Sequence, residues 1–198
     1  MLCFFSGSKD AKPGKGVGET VCELEGLAGV KDWRRVLSNF HVAPFVYGGL
    51  TWNSIEHAFQ GHKIMLADRE KGFAFAMESG SELSRDTGAA AQKQRKMVKL
   101  SGSQLAQWNS TKMKIMEEAA AAMYSQNEKE MAVLKMTKMQ NCGTEDLVSN
   151  LSDLCIWKGS ETLKKAFLKI QKNFKKTPQD LCHLTTGEPR RAIPGEER

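Results

Sequence analysis

The segment from Thr51 to Lys63 carries three polar groups at the spacing of a single helix face. Glu56, Gln60 and Lys63 lie at positions i, i+4 and i+7, which share one side of a helix with 3.6 residues per turn. The other side is predicted to be an apolar stripe formed by Ile55, Ala58, Phe59, His62, Met65 and Leu66. A carboxylate, an amide and an ammonium group beside such a buried flank would form one wall of a polar cleft.

The same helix also fits a purely structural interpretation. Asn53 is its predicted N-cap, and Glu56, three residues further on, has the position of a capping-box carboxylate. Lys63 fits a solvated position, and His62 on the apolar flank fits a core histidine whose hydrogen bonds are satisfied. Spacing alone leaves both interpretations open.

A glycine-rich segment near the start of the chain offers groups that bind phosphate. From Lys15 to Glu19 the sequence reads Lys-Gly-Val-Gly-Glu, and Gly16 and Gly18 would let the backbone N–H groups approach a phosphate closely. The segment matches neither a Walker A loop nor GxGxxG, so a plain mobile loop is an equally good interpretation.

Arginines and aromatic residues supply further candidates. Arg34 and Arg35 could bind phosphate oxygens bidentately, or they could be ordinary surface arginines. Arg95 adds a cation on the basic face of a later helix. Phe40 is more typical of a core than of a ligand-stacking position. Trp108 is a core residue by periodicity, although a tryptophan at the edge of an apolar stripe can also present its ring to a planar ligand.

The elements expected to position these residues are mostly helices. A turn-rich loop from Leu37 should lead into the helix of Glu56, and the overall prediction is an α+β fold that is mainly α-helical, with a small sheet from the N-terminal portion. The predicted strands are Leu2–Phe5 and a turn or strand within Val21–Val30. The other predicted helices are Asp68–Met77, Ala89–Lys99, about 20 residues from Gln104, Glu128–Met136, and one from Ser160. The apolar stripe of the helix from Gln104 includes Leu105 and Trp108.

Several blocks of the sequence, in order, resemble one family of N-glycosidases, the YbiA-like family, also called NADAR. The blocks are Lys15-Gly-Val-Gly-Glu19, Trp33-Arg-Arg-Val-Leu37, Leu37-Ser-Asn-Phe40, Pro44-Phe45, Trp52, Ser54-Ile-Glu-His57, Gln60, Lys63, Gln94-Arg-Lys96, Trp108 with Lys112 and Met116, and Met123-Tyr-Ser-Gln-Asn127. The resemblance covers about Leu2 to Thr137, and the order of the blocks makes it more specific than any one of them.

The resemblance implies a single YbiA-like domain over residues 1–176 and cleavage of an N-glycosidic bond. Such a reaction passes through an oxocarbenium-like state, which needs a carboxylate to stabilise positive charge or activate water. The implied catalytic residues are Glu56 and Trp108. The implied substrate-binding residues are Lys15, Gly16, Gly18, Glu19, Arg34, Arg35, Asn39, Phe40, Trp52, His57, Gln60, Lys63 and Arg95.

A late segment departs from the family pattern. Family members often carry Asp-x-x-Trp-Gly near the C-terminus, whereas this chain has Asp153-Leu-Cys-Ile-Trp157 followed by Lys158 and Gly159. Asp153 and Trp157 are therefore uncertain members of the catalytic set, and a core role for Trp157 competes with a catalytic one.

Composition sets further limits on the class of protein. The chain has 198 residues, 40% of them hydrophobic, and a formal net charge of +6, which favours anionic partners. Five scattered cysteines form no CxxC pair, so the sequence predicts reduced thiols, no metal site and no cofactor. No apolar run reaches the length of a membrane span, and no signal peptide is evident, so the prediction is cytoplasmic, without a membrane partner. Residues 177–198 are polar and predicted to be a disordered tail.

Three functions follow as hypotheses. The first is an N-glycosidase whose substrate is a phosphoribosylated aminopyrimidine intermediate of riboflavin biosynthesis or an ADP-ribosylated guanine in nucleic acid. The second is a sensor that binds ADP-ribose or a related nucleotide without catalysis, which the altered late segment suggests. The third is a basic helical protein that binds nucleic acid. Nothing in the sequence indicates an oligomeric state.

Overall fold

The computed structural model describes residues 11–16 and 25–137. This part of the chain is mainly helical, with one small antiparallel sheet. Its elements are α1 (Glu25–Ala28), α2 (Trp33–Val36), β1 (Phe45–Tyr47), β2 (Leu50–Trp52), α3 (Ile55–Met65), α4 (Arg69–Phe73), α5 (Glu82–Arg85), α6 (Gly88–Lys93), α7 (Gly102–Gln126) and α8 (Glu128–Met136), with 3-10 turns at Met77–Ser79 and Gln94–Lys96.

Strands β1 and β2 form a tight hairpin in a stretch for which the sequence predicts only a turn-rich loop. Phe45 pairs with Trp52 and Tyr47 with Leu50. Gly48 and Gly49 connect the strands with φ angles of 62° and 79°, the left-handed region that a two-residue hairpin turn requires and glycine adopts without strain. The observed sheet is therefore this hairpin, while the strand predicted at Leu2–Phe5 lies outside the described residues.

Helix α3 begins one residue later than predicted. Ser54 is the N-cap, and its hydroxyl oxygen accepts a hydrogen bond from the backbone N–H of His57. The side chain of Asn53 instead donates to the backbone carbonyl of Asp86 at 2.9 Å. The predicted cap at Asn53 and its capping box with Glu56 are therefore wrong, and the Glu56 carboxylate has no capping role.

Helices α3, α4 and α7 pack around a shared core, and α3 approaches its neighbours through small residues. A Cβ atom added to Gly61 would meet Cζ3 of Trp52 at 2.5 Å, so only glycine allows this contact between α3 and the hairpin. The largest fully buried side chains in the described residues include Trp52, Tyr124, Phe45, Phe75, Ile55, Ile64 and Met123.

The predicted apolar stripes are only partly correct. On α3, Ile55, Ala58 and Ile64 are buried, whereas Phe59, Met65 and Leu66 are half-buried. His62 packs between the rings of Tyr47 and Trp52, with centroids 5.1 and 5.2 Å away, but its Nε2 has no hydrogen-bond partner among the described residues. On α7, Trp108 is buried as predicted, and so are Met116, Ala119 and Met123, but Leu105 is 48% exposed, because the first turns of α7 lie largely at the surface.

Helix boundaries agree with the sequence best at α8, whose range is the one predicted. Residues 25–28 form a short helix where a turn or strand was expected. α4 ends at Phe73 rather than Met77, and α6 gives way at Gln94 to a 3-10 turn rather than continuing to Lys99.

No helix in the described ranges is long and apolar enough to cross a membrane. The helix predicted from Ser160 and the tail at 177–198 lie outside those ranges, as do all five cysteines.

The contact between α6 and the loop before the hairpin generates a stability prediction. A Cβ atom on Gly88 would overlap Cα of Phe40, a backbone atom that cannot swing aside. We expect Gly88→Ala to lower the free energy of unfolding by about 2 kcal/mol, as overpacking in a close contact does. Gly102→Ala is the matched control: nothing lies within 4 Å of its added Cβ, so the better helix propensity of alanine should leave stability unchanged or slightly higher. Urea denaturation of both variants measures this, and equal stabilities would contradict the packing described.

Candidate active site

Glu56 lies in the first turn of α3 and is only 3% exposed. Its carboxylate Oε1 accepts a hydrogen bond from Nε2 of Gln60 at 2.7 Å. Its backbone N–H donates to the carbonyl of Asn39 at 3.1 Å, which joins α3 to the preceding loop. Among the described residues no group donates to the other carboxylate oxygen, Oε2. Glu56 is thus a buried acid with one oxygen held and one available.

Burial raises the pKa of Glu56 above its ordinary value of 4.5, because desolvation disfavours the charged form. Three neighbours partly oppose this effect: the hydrogen bond from Gln60 and the positive charges of Lys63 and Arg95 all lower the pKa. The carboxyl group therefore keeps its proton to a higher pH than an exposed glutamate does. A carboxyl group of this kind can donate its proton and, once ionised, accept one.

Lys63 and Arg95 complete a group of four residues, which we call the Glu56 cluster: Glu56, Gln60, Lys63 and Arg95. The ammonium group of Lys63 donates to the backbone carbonyl of Arg95 at 2.9 Å. Burial lowers the pKa of Lys63, as does the charge of Arg95, while Glu56 acts in the opposite direction. The structure thus brings together four residues predicted from the sequence, one of them from a different element.

Asn39 and Phe40 position the cluster rather than extend it. Asn39 is buried. Its backbone carbonyl accepts from the N–H of Glu56, and its side-chain amide donates to Sδ of Met116 on α7 at 3.6 Å. Phe40 is half-buried, with its backbone against Gly88. The loop is therefore fixed to α3, α6 and α7 together.

His57, which the resemblance implies as a substrate contact, is fully buried and both its ring nitrogens contact protein. Nε2 lies 3.0 Å from the carbonyl oxygen of Leu83, and Nδ1 lies 2.7 Å from the hydroxyl of Ser54. A carbonyl only accepts, so Nε2 carries the proton and the hydroxyl of Ser54 donates to Nδ1. Burial lowers the pKa of His57, which keeps the ring neutral. His57 ties the start of α3 to the end of α5.

Trp52 and Trp108 are also enclosed by protein. The indole N–H of Trp52 donates to the carbonyl of Tyr47 at 2.9 Å, and its ring packs on Gly61. Trp108 is buried on α7, with its ring 4.8 Å from that of Phe59 at an angle of 60°. Phe59 lies three residues after Glu56 and four before Lys63, so the ring of Trp108 packs beside the helix face that carries them.

Arg34 anchors the N-terminal segment. It is buried, its guanidinium donates to the backbone carbonyls of Ala11 and Lys12 at 3.1–3.3 Å, and it lies 4.2 Å over the ring of Trp33. Arg35 and Lys15 are exposed and Gly16 is half-buried. Arg34, which the sequence suggests as a phosphate ligand, thus holds the loop that carries Lys15 and Gly16.

Four predicted site residues, Gly18, Glu19, Asp153 and Trp157, lie outside the described residues. Within the described ranges no group of three His, Cys, Asp or Glu side chains could hold a metal ion. No protein-family model matches the chain, and no curated protein is similar enough to count as a relative. The family resemblance therefore stays a prediction.

Sequence reasoning missed the positioning network of Ser54, His57 and Leu83. A local signal for part of it exists, because Ser54 precedes His57 by the three residues that separate an N-cap from its bonded N–H. The contacts of His57 with Leu83 and of Asn39 with Met116 join residues 26 and 77 positions apart. No local pattern indicates those partners.

The raised pKa of Glu56 predicts how stability depends on pH. The folded state binds the proton more tightly than the unfolded state, so this group's contribution is complete below the ordinary pKa of 4.5 and is lost as pH rises through the raised folded value. We expect Glu56→Gln, which keeps an acceptor for Gln60, to have a free energy of unfolding that exceeds the wild-type value by more at pH 7 than at pH 4.

Glu70→Gln is the control for this prediction. Glu70 lies exposed on α4, so its replacement should leave the difference from the wild type constant across the same range. Denaturant titrations from pH 4 to 8 give the curves. A Glu56→Gln variant that is less stable at pH 7 than at pH 4, relative to the wild type, would contradict the burial described.

Proposed function

We propose that the protein is an N-glycosidase of the YbiA-like type, acting on a phosphoribosyl or ADP-ribosyl substrate with Glu56 as its catalytic carboxyl group. The observation that carries the proposal is the Glu56 cluster: a buried acid with a raised pKa, one oxygen held by Gln60, and two cations close enough to influence its proton. The ordered sequence blocks support the same assignment.

The chemistry requires two proton movements that such an acid can perform. When the bond between the anomeric carbon and the base nitrogen breaks, the electron pair leaves with the base, which a proton from Glu56 would neutralise. The resulting carboxylate then stabilises the oxocarbenium-like centre and takes a proton from the water that adds to it. The products are the free base and the sugar phosphate or, for an ADP-ribosylated guanine, the restored guanine and ADP-ribose, and no cofactor takes part in this scheme.

Cations near the acid supply the groups that would hold phosphate. Lys63 and Arg95 belong to the cluster, and Lys15 and Arg35 are exposed cations in two other blocks of the family resemblance. Because Arg34 is buried against Ala11 and Lys12, we assign it to positioning the loop of Lys15 and Gly16. Asp153 and Trp157 stay part of the proposal only through the family resemblance, and the cytoplasmic location stays part of it through the scattered cysteines, which are predicted to be reduced thiols.

The central experiment is incubation of the protein with phosphoribosylaminopyrimidine, NAD, ADP-ribose and ADP-ribosylated DNA, followed by mass analysis of the products. We expect one substrate to release its base. Glu56→Gln should fold normally and reduce that release by at least a hundredfold, because the amide cannot transfer a proton. Glu70→Gln, a neutralised carboxylate on the exposed face of α4, should retain full activity. Unchanged turnover by Glu56→Gln would remove Glu56 from the mechanism.

A nucleotide sensor is the second candidate function, favoured by the departure of Asp153–Gly159 from the family pattern. A sensor would bind ADP-ribose and show a thermal shift, yet would release no product after long incubation. Detection of free ribose 5-phosphate or ADP-ribose as a product would exclude it.

The charge distribution favours a substrate carried on nucleic acid within the first candidate function. From Thr87 to Met116 the sequence contains no Asp or Glu, and its cations are Lys93, Arg95, Lys96, Lys99, Lys112 and Lys114. The first four are exposed, and Arg95 belongs to the Glu56 cluster. A basic surface of this kind binds phosphates along a strand without reading the bases.

This surface predicts salt-dependent binding to single-stranded DNA. In the double variant Lys96→Gln, Lys99→Gln, affinity should fall and the slope of log K against log salt should decrease by about 1.4, since each lost phosphate contact on a single strand contributes about 0.7. Lys129→Gln, an exposed lysine on α8, should leave the slope unchanged. Fluorescence anisotropy between 50 and 200 mM salt, roughly the range in which counterion release is measured, gives the slopes. A double variant with the wild-type slope would favour a small free substrate.

A further inference from the structure

Gln60 has one polar atom that no group in the described part of the chain satisfies. Its amide nitrogen donates to Oε1 of Glu56 at 2.7 Å, whereas its carbonyl oxygen Oε1 is buried and has no hydrogen-bond partner. The side chain is 5% exposed. Buried carbonyl oxygens in folded proteins are nearly always paired with protein, water or ligand. An unpaired one beside a buried acid therefore points to a group that binds there.

The orientation of this amide follows from Glu56. Oε1 of Glu56 accepts from the NH₂ end of Gln60, which places the acid proton, when present, on the other oxygen, Oε2, and turns the carbonyl end of Gln60 away. Both side chains stand on the same face of α3, one turn apart. Gln60 thus presents an acceptor at a defined place next to the proton-transferring oxygens of Glu56.

The proposed function supplies two donors for such an acceptor. Cleavage occurs between the anomeric carbon and the base, so the groups nearest to Glu56 are the ribose 2′-hydroxyl and the amino substituents of the base. Hydrogen bonds to the hydroxyl next to the anomeric carbon strengthen as the oxocarbenium-like state develops. Both groups are hydrogen-bond donors, and a carbonyl can accept from either. The side chains of Lys63 and Arg95 are donors only, so they cannot accept a hydrogen bond from these groups.

We propose that Gln60 is a specificity-determining residue whose side-chain carbonyl accepts a hydrogen bond from the ribose 2′-hydroxyl or the exocyclic amino group of the bound nucleotide. This inference rests on the proposed function. It adds a condition: a ligand that lacks the recognised donor leaves the buried carbonyl unpaired, and a site built in that way rejects such a ligand strongly.

Three nucleotides separate the two possible donors. Inosine monophosphate lacks only the exocyclic amino group of guanosine monophosphate, and 2′-deoxyguanosine monophosphate lacks only the 2′-hydroxyl. Titration calorimetry of the wild-type protein should show an affinity lower by about tenfold for one of these two analogues relative to guanosine monophosphate. In Gln60→Met, which keeps the length of the side chain but removes its polar atoms, the same ratio should fall to about 1.

Two comparisons separate a loss of recognition from a loss of folding: a matched control variant, and the wild-type affinities taken alone. Gln107→Met makes the same replacement at an exposed position of α7 and should keep the wild-type ratios. Equal affinity of the wild-type protein for all three nucleotides would overturn the inference without any variant, and unchanged ratios in Gln60→Met would also overturn it. Failure of all three nucleotides to bind would overturn the proposed function together with this inference, whereas binding with the wrong ratios would leave the proposed function standing.

Discussion

The burial of one carboxyl group at the start of α3 is the constraint on which the site depends. A charged carboxylate in a dehydrated position is costly, and proteins accommodate it by hydrogen bonding, by nearby cations or by protonation. Glu56 has all three: a hydrogen bond from Gln60, the charges of Lys63 and Arg95, and a raised pKa. Its position in the first turn of a helix adds the positive end of the helix dipole. These opposing effects produce an acid whose pKa is raised and which can both donate and accept a proton.

The surrounding structure holds that acid in place through contacts that each join distant parts of the chain. The carbonyl of Asn39 receives the N–H of Glu56, Asn53 bonds to Asp86, and His57 bridges Ser54 and Leu83. The side chains of Asn39, Asn53, Ser54 and His57 are buried and make their hydrogen bonds within the protein, so we assign these four residues a positional role. A functional site of this kind needs a rigid supporting layer, because small displacements of the reacting groups reduce catalysis sharply.

Features that depend on residues close in sequence could be predicted from the sequence, whereas contacts between distant residues could not. Helical periodicity correctly put Glu56, Gln60 and Lys63 on one face, and the range of α8 followed from its pattern, because both depend on residues close in sequence. The Gly48–Gly49 turn is also a local signal, which the analysis of the sequence did not use.

Two predictions failed because a partner distant in sequence determines the role of the side chain. Asn53 has the chemistry of an N-cap, but Asp86 takes its side chain, so Ser54 caps the helix instead. Arg34 has the chemistry of a phosphate ligand, but the carbonyls of Ala11 and Lys12 occupy it. Residue type and spacing carry no information about such partners.

Direct titration of the Glu56 carboxyl carbon by ¹³C NMR tests the central claim most closely. We expect its resonance, assigned by comparison with Glu56→Gln, to titrate above the ordinary value of 4.5 and to shift when ADP-ribose or guanosine monophosphate is added, since the ligand would contact the available oxygen. A resonance that titrates at the ordinary value and does not respond to either ligand would contradict the account.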